Sequence, residues 1–161
     1  MQTKPDKRFD AVIETPVCRF GLKFENGFLA ATQYLKNDHE LCFPEDKTVQ
    51  ALIRQISDYF SDPAHPFNIE IDAKGTDFQQ GVWRQMQKIP AGQVKTYGEV
   101  AKILNSSPRA VGNACRANPM PLIIPCHRIV SSSGLGGFAG TRSGYFTDIK
   151  RQLLRHEGLE I

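Results

Sequence analysis

No apolar run in this chain approaches the roughly 18 residues that mark a membrane-spanning helix, so an integral membrane protein is not expected. The stretch Met1-Gln2-Thr3-Lys4-Pro5-Asp6-Lys7-Arg8 lacks the apolar core of a secretory signal, and a cytoplasmic protein is the expectation. Cysteine is sparse: Cys18, Cys42, Cys115 and Cys126, with no C-x-x-C pair. That excludes a disulfide framework and leaves free thiols in a reducing compartment. Cys18, His39, Cys42 and His65 are the one zinc set to weigh. Their spacing is irregular, so two buried thiols and two surface histidines are expected instead, with no metal and no cofactor. There is no internal repeat and no low-complexity tract.

What is present is ordinary in bulk and uneven in distribution. A chain of 161 residues can bury one good core or two small ones. Hydrophobic content of 40% and charged content of 23% suit a globular protein. The net charge of +3 conceals an asymmetry. Residues 1–75 carry 9 Lys/Arg against 12 Asp/Glu, a net of −3; residues 76–161 carry 11 against 5, a net of +6. A basic half draws polyanions, nucleic acid among them, although a merely solvated basic surface has the same composition.

The pattern predicts two domains, 1–74 and 75–161. In the first, Cys18, Phe20, Leu22 and Phe24 alternate with charged residues from Val17 to Glu25, which predicts a strand. Asn26-Gly27 then signals a two-residue hairpin turn, with Phe28 to Leu35 returning. Apolar residues at helical spacing run from Thr48 to Phe60. Phe67, Ile69 and Ile71 alternate with polar residues and predict a further strand, after a loop at Asp62-Pro63-Ala64-His65-Pro66. The fold class expected is a small antiparallel-sheet α/β domain followed by a mainly helical, winged-helix-like domain.

In the second domain, Thr76 and Gln79 form a capping-box pattern ahead of Phe78, Val82, Met86 and Ile89, and Thr96 with Glu99 repeats it. Asn105-Ser106-Ser107 is a turn, Ser107 a helix cap and Pro108 a first helical residue. Two short helices joined this way read as helix-turn-helix. The second, Pro108 to Ala117, carries small residues at Ala110, Gly112, Ala114 and Ala117, with Arg109 on its first turn. Such a helix either approaches a foreign surface closely or packs tightly in a core.

Cys126 is the chemical centre of the sequence. It sits in Leu122-Ile123-Ile124-Pro125-Cys126-His127-Arg128-Ile129-Val130. A cysteine beside a histidine and near an arginine has positive charge at hand, which predicts a lowered thiol pKa and a nucleophilic thiolate. A buried strand cysteine is the competing account, but the apolar run breaks at Pro125. Adjacent strand residues face opposite ways, so contact between Cys126 and His127 requires a bend at Pro125 or a bridging water.

Taken in order, Gly75-Thr76-Asp77-Phe78-Gln79-Gln80-Gly81-Val82-Trp83, Ile89-Pro90-Ala91-Gly92, Thr96-Tyr97-Gly98-Glu99-Val100-Ala101, Arg109-Ala110-Val111-Gly112, Asn118-Pro119, Ile124-Pro125-Cys126-His127-Arg128 and Leu153-Leu154-Arg155-His156-Glu157-Gly158 resemble the O6-alkylguanine-DNA alkyltransferases (methylated-DNA–protein-cysteine methyltransferases). The resemblance covers residues 75–161. It implies a monomer that binds alkylated double-stranded DNA through the minor groove, flips the damaged base, and moves the alkyl group irreversibly onto Cys126. O6-alkylguanine is the substrate implied, and O4-alkylthymine is a second candidate. The product is a thioether that nothing in the constellation can hydrolyse, so each molecule acts once.

By residue match, the catalytic set is Cys126, His127, Glu157, Asn118 and Tyr97. Glu157 would orient His127, which deprotonates Cys126 through a water. Tyr97 would help rotate the nucleotide and donate a hydrogen bond to the leaving guanine, and Asn118 would brace the site. Arg109 would fill the gap in the base stack, with Ala110, Gly112, Arg116 and Arg128 as further DNA-binding residues. Val130, Ser131, Gly137, Phe138 and Ala139 would line the pocket. Members of the family commonly have tyrosine where this chain has Phe138. The segment around Thr141 to Asp148 is also several residues longer than usual and reads as a loop bearing Arg142, Tyr145 and Phe146. Three rivals predict otherwise. The alkyltransferase-like lesion-binding proteins replace the acceptor cysteine, a helix-turn-helix transcription factor consumes no thiol, and a cysteine hydrolase turns over.

Overall fold

The computed structural model describes residues 7–136 and 144–161, and the chain falls into two compact units, Met1–Ala73 and Lys74–Ile161. The first unit is built on an antiparallel sheet in the order β1 (Ala11–Glu14), β2 (Arg19–Glu25), β3 (Phe28–Leu35). The predicted hairpin forms at Asn26-Gly27. Both residues have positive φ, 53° and 82°, as a type I′ turn demands. Phe20 and Leu22 point into the core, and Phe20 meets Tyr34 of β3 with ring centroids 5.5 Å apart. Helix α1 (Lys47–Ser61) starts where the Asp46 carboxylate accepts from the amides of Thr48 and Val49. It buries Val49, Leu52, Ile56 and Tyr59 at the spacing of one helical face.

One expectation for this unit is corrected, and one strand appears that the sequence pattern did not predict. Residues 67–72 are not a strand: Ile71 makes a single parallel bridge with Leu29, through Leu29 N–H to Glu70 O at 3.0 Å and Asp72 N–H to Leu29 O at 2.9 Å. Alternation there arises because one side of an extended segment faces the core without a strand partner along its length. Conversely, β1 pairs with β2 from Ala11↔Leu22 to Glu14↔Arg19 although it was not expected. Ala11, Val12 and Ile13 are all buried, so the strand has no alternating pattern to read.

The second unit is mainly helical. Helix α2 (Asp77–Gln87) and helix α3 (Tyr97–Ile103) each begin with a complete capping box, Thr76/Gln79 and Thr96/Glu99. Helix α4 (Pro108–Arg116) begins with Ser107 capping the Ala110 amide and Pro108 in its first turn. Asn105, at φ 53°, turns the chain between α3 and α4. Trp83 on α2 donates its indole N–H to Ala114 O of α4 at 2.9 Å. A Cβ on Gly75 would lie 2.5 Å from that indole, so only glycine fits where the unit begins. Two-residue strands β4 (Lys95–Thr96) and β5 (Ile129–Val130) pair in parallel, and this fixes the cap of α3 beside the segment that follows Cys126. Helix α5 (Tyr145–His156) closes the unit, burying Ile149, Lys150, Leu153 and Leu154. Tyr145 and Phe146 are therefore its first turn, not part of a loop to Asp148. No helix among the described residues is long and apolar enough to cross a membrane.

Candidate active site

Proline sets the geometry. Pro125 has φ −79° and ψ 69°, the centre of an inverse γ-turn, and the Cys126 amide donates back to Ile124 O at 2.8 Å. The chain then tightens into a 3-10 turn over Cys126–Arg128, closed by Arg128 N–H to Pro125 O at 3.0 Å. This is the bend that contact between neighbouring residues requires. Leu122, at φ 75°, is strained just upstream, which is uncommon for a bulky residue and characteristic of functional sites.

Asn118 clamps this turn. Its Nδ2 donates to Ile124 O at 2.9 Å, its Oδ1 accepts from Met120 N–H at 3.0 Å, and its side chain favours the ionised form of Cys126. Cys126 and His127 are buried, the latter completely. His127 Nε2 lies 2.6 Å from Glu157 Oε2. Glu157 caps the C-terminal end of α5, where the helix dipole disfavours a carboxylate. Burial also works against its ionisation, but hydrogen bonds from His127 and Arg128, with the charge of Arg128, outweigh both and hold its pKa at about 2. The carboxylate therefore accepts, Nε2 carries the hydrogen, and Nδ1 is the imidazole acceptor; among the described residues Nδ1 has no partner. Burial, with Arg128 and Lys150 nearby, pushes the His127 pKa down, so the ring is neutral at rest.

The expectation of a lowered Cys126 pKa is corrected. Burial raises it, opposed by the Asn118 hydrogen bond and by the charge of Lys150. The resting group is a thiol. The positive charge also has a different source from the one the sequence suggested. His127 is neutral, and Arg128 turns away from Cys126 to Glu157, Nε to Oε1 at 2.8 Å and Nη2 to Oε2 at 3.2 Å. Its Nη1 donates to Ile89 O at 2.7 Å, and the side chain is only 12% exposed. Arg128 is thus corrected from DNA-binding residue to part of the internal network, because its guanidinium is already engaged.

Lys150 is the residue that sequence reasoning missed. It is fully buried, donates to Ile129 O at 2.7 Å, and lies 6.0 Å from the centre of the Tyr97 ring. Burial lowers its pKa to about 8, while the neighbouring thiols Cys126 and Cys115 oppose the shift. A signal existed: Lys150 falls three and four residues before Leu153 and Leu154, on the apolar face of its helix. Tyr97, half-buried at the start of α3, has its pKa raised to about 12 by burial and by the two thiols, so its hydroxyl stays protonated and can donate.

Val130 is buried in β5 and Ser131 follows it, half-exposed. A Cβ on Gly136 would sit 3.1 Å from Ser131 N and 3.3 Å from the Tyr97 ring, so glycine lets this wall close on the tyrosine. Gly137, Phe138 and Ala139 lie outside the described residues, as does Arg142. On α4, Arg109 and Arg116 are exposed, and Ala110 and Gly112 are half-exposed. A Cβ on Gly112 would meet nothing within 4 Å, so the protein's own packing does not demand glycine there. Cys18, His39, Cys42 and His65 are not assembled: no group of three or more His, Cys, Asp or Glu side chains suited to a metal occurs among the described residues.

Residues 77–159 match the sequence profile of a family described as 6-O-methylguanine DNA methyltransferase, DNA binding domain. A methylated-DNA–protein-cysteine methyltransferase of Methanosarcina acetivorans is 33% identical over 156 residues, 92% of this chain and 97% of that protein. One from Sulfolobus acidocaldarius is 40% identical over 117 residues, 73% of this chain and 72% of the other. Among solved structures, the Mycobacterium tuberculosis O6-methylguanine methyltransferase superposes with a TM-score of 0.76 at 33% identity, covering 91% of this chain and 90% of that one. The M. tuberculosis protein in complex with DNA gives 0.76 at 32% identity, covering 92% of each. With the expected mixed α/β and helical fold in place, the chain belongs to the 6-O-methylguanine DNA methyltransferase family.

Proposed function

We propose that this protein repairs DNA by moving an alkyl group from guanine O6 to Sγ of Cys126, once per molecule. The observation that carries this reading is a buried thiol next in sequence to a neutral histidine whose far nitrogen is fixed on a carboxylate 2.6 Å away. The thiol proton passes, through a water, to His127 Nδ1. Sγ then attacks the alkyl carbon, the carbon–O6 bond breaks, and its electron pair leaves with guanine. Tyr97, protonated because its pKa is about 12, donates a hydrogen bond that offsets charge on the departing base. The buried Lys150 ammonium and the Asn118 side chain favour the thiolate at the moment it forms. The imidazolium is stabilised by Glu157. The thioether remains, which ends the protein's activity.

The partner is double-stranded alkylated DNA, approached through the minor groove by α4, and the protein acts as a monomer. Support comes from the exposed Arg109 and Arg116 and from the open face at Gly112. Mixing the protein with O6-methylguanine DNA and measuring its intact mass tests the chemistry. One added methyl mapped to Cys126 is expected; no gain, or a methyl on Cys115, refutes it. Arg109→Ala separates reach from chemistry. It slows repair of duplex DNA about tenfold or more, because the flipped base leaves an unfilled gap, and changes transfer from free O6-benzylguanine far less.

A further inference from the structure

Among the described residues, Arg128 directs its guanidinium not to Cys126 but to Glu157, the partner of His127, and to Ile89 O. The guanidinium grips Glu157 as a fork, one nitrogen to each oxygen, at 2.8 Å and 3.2 Å. Oε2 is also the oxygen that accepts from His127. The third nitrogen is tied at 2.7 Å to Ile89 O, just past the end of α2. A continuous chain thus runs from the main chain after α2, through Arg128 and Glu157, to His127. We infer that Arg128 is a positioning residue for alkyl transfer, fixing the Glu157 carboxylate in one orientation and supplying its counter-charge so that His127 stays neutral and ready to take the Cys126 proton.

The charge reckoning explains why an arginine is needed. The Glu157 side chain is wholly buried. Without Arg128, the cheapest neutralisation of that carboxylate is a proton on His127. An imidazolium has no free acceptor nitrogen and cannot take a second proton. The groups facing His127 are Glu157, Arg128, Lys150 from α5 and the adjacent Cys126; Glu157 draws a proton towards the ring, and Arg128 and Lys150 oppose it. Of the two opposing cations, Arg128 is bonded to the carboxylate itself, at 2.8 Å and 3.2 Å. Lysine cannot reproduce the fork.

This inference rests on the relay reading above, and its test separates the two. Transfer from free O6-benzylguanine is measured against pH for Arg128→Gln, Arg128→Lys, Glu157→Gln and the double variant. Arg128→Gln is expected to slow transfer about ten- to a hundredfold and to move the acid limb of the profile to higher pH, because His127 now holds a proton. Arg128→Lys keeps the acid limb near its original position and recovers part of the rate. The double variant has no orphaned carboxylate to oppose folding, and it reacts as fast as Glu157→Gln alone to within about twofold. An unmoved acid limb in Arg128→Gln overturns the inference, and so does a double variant clearly slower than Glu157→Gln. Loss of DNA affinity in Arg128→Gln, with transfer from the free base unchanged, would return Arg128 to the DNA interface. If Glu157→Gln itself reacts at the wild-type rate, the relay fails as well; if only the arginine variants do, the relay stands and this inference falls.

Discussion

The two units solve opposite problems. Among the described residues of Met1–Ala73, the buried polar or charged group is Thr32. In Lys74–Ile161 they are His127, Thr147, Lys150 and Glu157. The first unit gains stability from apolar burial, with Phe20, Leu22, Leu29, Leu52 and Ile56 almost fully enclosed. Such side chains contribute about 1.5–3 kcal/mol each when removed from water. The second unit gives up part of that gain to hold ionisable groups dry, where electrostatic interactions are strong. Buried charged side chains are therefore concentrated in the second unit, whereas the described residues of the first bury mainly apolar ones.

The largest effect that would break this contrast comes from the nucleophile. Cys126→Ser should lose transfer completely, since an alcohol is a poor nucleophile without strong activation, while DNA binding by gel shift persists. Transfer at an undiminished rate would move the chemistry elsewhere. Next, Glu157→Gln or His127→Ala should slow the reaction about a hundredfold or more, with free base and with DNA alike. A loss confined to DNA would mean that the pair acts on base extrusion. In the first unit, Leu22→Ala should cost about 2–5 kcal/mol in urea unfolding yet leave the rate per folded molecule unchanged. A slowed reaction in that variant would show that the sheet does more than support.

The smallest effect concerns acid. Glu157 has a folded-state pKa of about 2 against an ordinary 4.5, so its contribution is present above pH 4.5 and is lost as pH falls towards 2. His127, depressed below 6.5, contributes above pH 6.5 and loses that contribution as pH falls through its folded value. Both losses fall in the second unit, and that of Glu157 alone is on the order of 3 kcal/mol. Hydrogen exchange followed down the acid range should show the helical unit losing protection at higher pH than the sheet unit, and Glu157→Gln should narrow the difference. Simultaneous loss would mean that these buried groups do not set acid stability.

Much of this was legible from local chemistry. Thr76/Gln79, Thr96/Glu99 and Ser107-Pro108 place three helix starts, because a cap needs only residues within one turn. Asn26-Gly27 fixes the hairpin for the same reason. The illegible parts depend on distant partners. Ala11 to Ile13 carries no alternation because every side chain is covered, and Phe67 to Asp72 alternates without pairing along its length. In the site, Cys126, His127, Asn118 and Glu157 come together as the motifs suggested. The direction in which Arg128 points, and the burial of Lys150, are set by α5 and by the end of α2. No spacing within Pro125-Cys126-His127-Arg128 encodes them, and so the thiol was expected to be more acidic than burial allows.

Trp83 is the chain's single tryptophan, and its indole is 2% exposed with its N–H given to Ala114. Its emission is therefore that of a dry, hydrogen-bonded chromophore fixed to the helix that bears Arg109. Unit Met1–Ala73 has tyrosines but no tryptophan. Excited at its own wavelength, the protein reports optically on the helical unit alone. A shift in colour or intensity on adding DNA would register any displacement of α4 without a label and before any bond is made.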